Sequence, residues 1–418
     1  MQTNLSEAAQ ALERAEEAES ILRACVHCGF CNATCPTYQL LGNELDGPRG
    51  RIYLIKQLLE GEPVTEKTQL HLDRCLSCRN CETTCPSGVR YHALLDIGRA
   101  EVARRTVRPL RERWLRAGLR HAVSRPALFA ALLGAGRVAR AALPETLRDK
   151  IPAQAPVASP RPTMQQTARH TRRVLMLEGC VQPSLAPNTN AAAERVFDRL
   201  GIGVTPAPQA GCCGANDYHM DAQEAGLQRA RRNIDAWWPA IEAGAEAIVM
   251  TASGCGAFVK EYGDLLRFDP AYADKARRVS ALARDLVEVI AAEPLEQLNA
   301  LAPAAAKKIA FHCPCTLQHA QRLGGKVEAV LARLGFGLTG VANAHLCCGS
   351  AGTYSLTQPE IAKQLRDNKL DALEAGRPDA VVTANVGCQT HLNSAGRANV
   401  THWIELVDSL LTPDQEMN

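Results

Sequence analysis

The sequence predicts a multidomain chain: a small α-helical domain at the N-terminus, then two α/β units related by pseudo-two-fold symmetry. Three observations lead there. Two cysteine runs of identical spacing lie near the N-terminus, a Pro/Ala-rich stretch interrupts the middle, and an internal repeat fills the rest. The 418 residues exceed one ordinary domain. Hydrophobic residues make up 46% of the chain, enough for a sizeable core, but only 4% are aromatic, so Ala, Leu, Val and Ile must fill it. A net charge of +3 is small for this length and argues against nucleic acid as a partner.

In chain order, residues 5–24 read as a helix carrying Leu5, Leu12, Ile21 and Leu22 among Ala and Glu. This acidic start has no basic region leading into an apolar run and does not read as a secretory signal. No apolar run approaches the roughly eighteen residues of a membrane span, so no transmembrane helix is expected. The 17 cysteines therefore suggest thiolates ligating metal in a reducing cytoplasm rather than a disulfide framework.

Between the cysteine runs, Ile52, Leu54, Ile55, Leu58 and Leu59 fit a helix, which favours an α-helical ferredoxin-like domain over residues 1–100. Residues 101–170 form an arginine-rich helical segment followed by a linker with Pro152, Pro156, Pro160 and Pro162. Two repeats follow, 171–300 and 301–418. VLMLEGC ending at Cys180 parallels IAFHCPC ending at Cys315, VFDRLG parallels VLARLG, and AIVMTASGC ending at Cys255 parallels AVVTANVGC ending at Cys388. Each unit reads strand, helix, short strand, Cys-Cys-Gly loop, long helix, strand, the order of a largely parallel sheet.

Cys25, Cys28, Cys31 and Cys35 precede Pro36, and Cys75, Cys78, Cys81 and Cys85 precede Pro86, giving C-x-x-C-x-x-C-x-x-x-C-P twice. Three cysteines at this spacing wrap one face of a cubane cluster, and the fourth points away. In two-cluster ferredoxins that fourth cysteine ligates the other cluster. Two [4Fe–4S] clusters are expected on this pattern, one held by Cys25, Cys28, Cys31 and Cys85 and one by Cys75, Cys78, Cys81 and Cys35. Zinc would need only two pairs per site and explains neither the third spacing nor the trailing Cys-Pro. His27 falls inside the first run, where packing or donation to a cluster sulfur suits it better than ligation.

The repeats add Cys180, Cys212, Cys213 and Cys255, then Cys315, Cys347, Cys348 and Cys388. In a parallel α/β unit these positions all fall at the carboxyl edge of the sheet, where such folds bind ligands. Each set could hold one further iron–sulfur cluster; redox thiols or simply packed cysteines are the alternatives. Cys313 is left over and reads as a non-ligand.

These two units resemble the cysteine-rich CCG domain of heterodisulfide reductases and related flavoprotein-linked dehydrogenase subunits. In its fullest form that repeat ends in C-x-x-C, but here Phe258 after Cys255 and His391 after Cys388 stand at the second cysteine's position, leaving four cysteines per repeat instead of five. The stretches ILRACVHCGFCNATCPTYQLLGNELDGPRGRIYLIKQLLEG, VLMLEGCVQPSLAPNTN and FHCPCTLQHAQ make nearly the whole chain similar to the iron–sulfur subunits of bacterial glycolate oxidases (glycolate dehydrogenases). The resemblance implies an electron-transfer subunit with no catalytic residue of its own. Separate flavin-binding subunits would oxidise glycolate to glyoxylate, and this chain would pass electrons to quinone or another membrane acceptor, peripherally at the inner face of the cytoplasmic membrane. The equivalent subunit of a lactate or glycerol-3-phosphate dehydrogenase complex, or a disulfide- or quinone-reducing CCG domain, is the alternative.

Three features point elsewhere and are weaker. Gly134-Ala135-Gly136 opens a G-x-G-x-x-A match, but the preceding Ala127–Leu133 is helix-forming, so no flavin or NAD site is expected in this chain. The arginines of residues 99–125, followed by an apolar stretch, suit a lipid surface, a partner or a solvated face. Of Trp237 and Trp238, one is expected in the core and the other at an interface.

Overall fold

The computed structural model describes residues 1–144, 148–152, 156–157, 159–163, 169–298 and 307–411. Its C-terminal half is built on two four-stranded, fully parallel sheets. The first contains β1 (Arg172–Met176), β2 (Ile202–Thr205), β3 (Ala247–Met250) and β4 (Ala283–Asp285) in the order β2-β1-β3-β4. The second repeats this with β5 (Lys308–His312), β6 (Gly337–Leu338), β7 (Ala380–Thr383) and β8 (Val400–His402) in the order β6-β5-β7-β8. Parallel strands need crossovers that cover both sheet faces, which is why β3 is a continuous buried apolar run.

The repeat reading contained three strands per unit, and β4 and β8 are additions to it. Each is three residues long, too short to leave a periodicity in the sequence, and each leads straight into a helix capped by Asp285 or His402.

One core joins the two units. Val174, Ile202 and Val249 of the first sheet meet Ile309, Phe311 and Val382 of the second. The helix Pro187–Arg199, after β1, packs on Trp403–Asp408, after β8; reciprocally, Lys326–Arg333, after β5, packs on Leu286–Ile290, after β4. That exchange makes the pair pseudo-two-fold. On the outer face of the first sheet Trp237 is fully buried with Ile234 and Tyr262. Trp238 stays at the rim, donating to Glu242 at 2.9 Å with the Lys275 ammonium 5.2 Å from its ring.

The N-terminal domain is helical. The helix expected over 5–24 is divided into Glu7–Gln10 and Ala15–Ala24. Ser6, which caps the first piece, is also tied by its N–H to the Leu59 carbonyl at 3.0 Å, so the chain must bend before Ile21 and Leu22 can reach the same core. Helix Pro48–Leu59 contributes Ile52, Ile55, Leu58 and Leu59 to that core, and Tyr91–Arg105 packs against it. The arginine-rich segment forms helices Leu110–Val123 and Pro126–Val138; Gly134 and Gly136 lie inside the second, preceded by helix rather than strand. The Pro/Ala-rich linker falls partly outside the described residues, as do the first residues of the second repeat. No helix among the described residues is long and apolar enough to cross a membrane.

Candidate metal centres

All 17 cysteines are free thiols. The structure brings Cys85 to the first N-terminal run: Cys25, Cys28, Cys31 and Cys85 line one cavity with Cys81, Arg49 and Tyr91. It brings Cys35 to the second run, where Cys78 and Cys81 lie among Cys75 and Cys35. Both loops turn the same way. His27 and Gly29 in one, and Ser77 and Arg79 in the other, have left-handed backbones with φ of 56°, 85°, 52° and 62°. Such turns aim successive N–H groups inward, and the Ser77 N–H donates to Cys75 Sγ at 3.4 Å. His27 is half-buried, edge-on to Tyr53.

Further donors surround the second set. Tyr91 donates its hydroxyl to Cys75 Sγ at 3.6 Å, and Thr37 Oγ1 lies 3.3 Å from Cys35 Sγ. Beneath it sits a buried charge network. Arg51, 1% exposed, donates to the His71 carbonyl at 2.7 Å and to Thr37 Oγ1 at 3.1 Å. Asp46 compensates it at 3.7 Å and holds Arg74 and His71 at 2.9 Å each. Arg51 stays charged although burial opposes it, because the Cys75 and Cys35 thiols and Asp46 favour the cation.

In each repeat the first cysteine follows the first strand, the pair occupies the Cys-Cys-Gly loop, and the last opens a helix after the third strand, Cys255 in Ser253–Lys260 and Cys388 in Val386–Asn393. The loop glycine is obligatory. Gly214 has φ +101° and a Cβ there would stand 2.5 Å from the Gly226 carbonyl oxygen; Gly349 has φ +88° and the same atom would stand 2.6 Å from that of Ala362. Both glycines thus let the loop press on the long helix behind it. The sulfurs neighbour one another in two series, Cys180, Cys212, Cys213 and Cys255, then Cys315, Cys347, Cys348 and Cys388. Cys315 and Cys347 are 3.8 Å apart. Cys313 instead packs into the shared core.

Burial, then the neighbouring thiols, raise Cys31 to about 11 and push Cys78 and Cys81 well above the ordinary thiol value. Four thiolates crowded out of water need a cation among them. Sulfur-only donor sets with N–H and O–H groups aimed at the sulfurs fit an iron–sulfur cluster in the N-terminal sites.

The four sets are contiguous. Cys81 forms a wall of the first cavity, so the two N-terminal sets share a boundary. Cys78 is buried in one cluster with Leu76, Tyr354, Leu365, Cys347 and Cys315. Asn385 donates to Cys388 Sγ at 3.5 Å and accepts from the Gly254 N–H, beside Cys255, at 3.4 Å. The order through the molecule is therefore first N-terminal set, second N-terminal set, second repeat, first repeat. Sequence reasoning missed Arg51, Asn385, Lys369 and His312. For His312 a signal existed: it stands where the first repeat has Leu177.

Residues 21–89 match the family of 4Fe–4S dicluster domains, and residues 174–260 and 309–393 each match the cysteine-rich domain family. The chain is 69% identical to the glycolate oxidase iron–sulfur subunit of Escherichia coli (strain K12), covering 98% of this chain and 99% of that one. It is 29% identical to a protein of Bacillus subtilis (strain 168) named probable glycolate oxidase iron–sulfur subunit, over 96% and 95%. Lactate utilization protein A of Geobacillus thermodenitrificans (strain NG80-2) is 29% identical over 54% of this chain and 91% of its own length.

Proposed function

Because the chain belongs to the family of glycolate oxidase iron–sulfur subunits, we propose that it carries electrons from a flavin-binding partner that oxidises glycolate to a respiratory acceptor, quinone in the simplest case. The observation that carries this reading is the unbroken succession of thiol sets, from Cys28 at the surface, through Cys81 and Cys78, to Cys347 and Cys388 and on to Cys255.

Iron–sulfur clusters, when bound, supply one-electron steps. Cys25, Cys28, Cys31 and Cys85 would hold one and Cys75, Cys78, Cys81 and Cys35 another, with one more in each repeat. The residues of the chain then set spacing, charge and exclusion of water. Cys28 is exposed and flanked by Val26 and Phe30, 67% and 62% exposed, so electrons arrive from the partner at this edge. Leu76, Tyr354 and Leu365 keep the passage from Cys78 to Cys347 dry. Arg51 and Arg74 place more positive than negative charge beneath the second set and favour its reduced state.

Membrane association is assigned to the helices Leu110–Val123 and Pro126–Val138, where Leu110, Trp114, Leu132 and Val138 are exposed beside Arg111 and Arg113. Iron and sulfide counts with EPR on the anaerobically purified complex test the relay. Glycolate should reduce the iron–sulfur signals of the intact complex, and Cys78→Ser should block reduction of the repeats. If a complex lacking this chain reduces a quinone analogue equally fast, the relay is wrong.

A further inference from the structure

We propose that His312 is a ligand of the metal centre in the second repeat, which gives that centre a mixed cysteine–imidazole donor set that the first repeat lacks. This rests on the reading of the repeats as cluster sites. A ring nitrogen of His312 and the Sγ atoms of Cys348 and Cys388 all lie within 4.8 Å of one another. His312 is 2% exposed, and its Nε2 has no hydrogen-bond partner. An unpaired polar atom at that depth is rare in a native fold and marks a place where something else completes it.

The backbone explains how the ring is presented. His312 ends β5, pairing with Thr383 of β7, and Thr383 Oγ1 donates to the His312 carbonyl at 3.0 Å. The main chain is thereby fixed at the carboxyl edge of the sheet, beside the loop that carries Cys348. In the first repeat the same strand position is Leu177, an apolar residue in the outer core.

Position in sequence would favour a different histidine. His391 stands where the fullest form of the repeat has its fifth cysteine. Both of its nitrogens are engaged, however: Nε2 lies 3.1 Å from the Ala362 carbonyl, and Nδ1 meets the Lys150 ammonium. His319 is likewise held between Thr83 and the His345 carbonyl, at 2.9 Å each. His312 instead brings a ring nitrogen within 4.8 Å of two thiols. Imidazole and thiolate both suit iron. With a neutral imidazole as its fifth donor, in place of the thiolate that the fullest form of the repeat has, the centre is less negative, which raises its reduction potential, the direction seen when histidine replaces cysteine at other clusters.

The test uses the full chain, purified anaerobically with its partner subunits, and reads iron and sulfide per chain together with pulsed EPR of the reduced protein. Nitrogen hyperfine coupling from a metal-bound imidazole is expected in the wild type and in His391→Gln, and is expected to vanish in His312→Leu. The leucine variant should fold, since Leu177 occupies the matching place. His312→Cys should keep the iron while losing the coupling. Coupling that is absent from the wild type, or that survives in His312→Leu, overturns the proposal while leaving the cluster reading intact. If Cys348→Ser leaves iron and sulfide unchanged, the second repeat holds no cluster, and both readings fall together.

Discussion

The two repeats share a strand order, a loop and a ring of four cysteines, yet they meet the rest of the molecule through opposite chemistry. The first repeat docks on the N-terminal domain and the arginine-rich segment through charge: Arg79 and His92 on Glu261, Arg90 on Asp264 and Arg267 on Glu17 for the domain, and Asp221 against Arg108 and Arg116 for the segment. The second docks through neutral groups, with Leu76, Cys78, Tyr354 and Leu365 in one apolar cluster and Asn80 donating to the His345 carbonyl at 3.2 Å. Around the cysteines the contrast reverses. The first set is walled by Phe258, Tyr262 and Tyr218, with one cation, Arg229, acting on Cys212, and the second has Lys369, His312 and His391 beside it. A duplicated scaffold has thus kept the cysteine positions and exchanged their surroundings, and on the proposed reading the two sets would hold centres of different potential.

The largest effect should come from cutting the order of sites. Cys348→Ser and Cys213→Ser should each remove about four irons per chain, the content of one cluster. Only the first lies between the N-terminal domain and the other repeat. In Cys348→Ser, glycolate should therefore fail to reduce the first repeat, whereas in Cys213→Ser the second repeat should still be reduced. Identical EPR behaviour in the two variants would break the asymmetry.

A second pair of variants separates charge from packing at matching helix positions. Lys369 donates to the Asn343 carbonyl at 2.8 Å; Asn233, one repeat earlier, donates to the Cys212 carbonyl at 3.0 Å and accepts from the Gly211 N–H at 2.9 Å. Each side chain props up its loop, so Lys369→Met and Asn233→Leu should both cost about 1–3 kcal/mol of stability by leaving backbone groups unpaired. Only the lysine carries charge, although burial lowers its pKa from the ordinary lysine value. Its loss should lower the potential of the second-repeat centre by about 40–90 mV, corresponding to about 1–2 kcal/mol at an effective dielectric near 20. Redox titration of both variants, with a shift only for Lys369→Met, would sharpen the contrast.

What the sequence made legible follows from how each feature is encoded. The N-terminal sites are local, since a cubane dictates cysteine spacing along one loop, and the repeat is visible because duplicated strands and Cys-Cys-Gly loops recur in step. Cross-chain contacts leave no such trace. Cys78 and Cys347 are far apart in sequence, and nothing about either announces that they share one buried cluster. Arg108 and Arg116 illustrate the same loss: in a run of arginines they look like a solvated or lipid-facing patch, but Asp73 and Asp221 bind both internally. His312 was readable only by laying the repeats side by side, and its unpaired Nε2 only in three dimensions.

The ionic docking of the first repeat carries the smallest prediction, a dependence on pH. His92 lies 2.8 Å from Glu82 and 3.2 Å from Glu261, with Arg79 alongside. Burial favours the neutral ring, but the two carboxylates outweigh it and lift His92 to about 9. The folded value lies above the ordinary 6.5, so the bridge contributes fully below about pH 6.5 and is lost as pH rises through about 9. By linkage the full shift corresponds to at most about 3 kcal/mol, and the neighbouring Arg79–Glu261 pair, which survives the titration, reduces what docking itself loses. Thermal stability of the wild type should exceed that of His92→Gln at pH 6 and converge on it by pH 10. In the neutral contact of the second repeat burial holds His319 below the ordinary histidine value, so Thr83→Val, which removes the 2.9 Å bond to that ring, should cost the same at both pH values. A His92→Gln deficit that persists undiminished at pH 10 would mean that this corner is held by shape rather than charge.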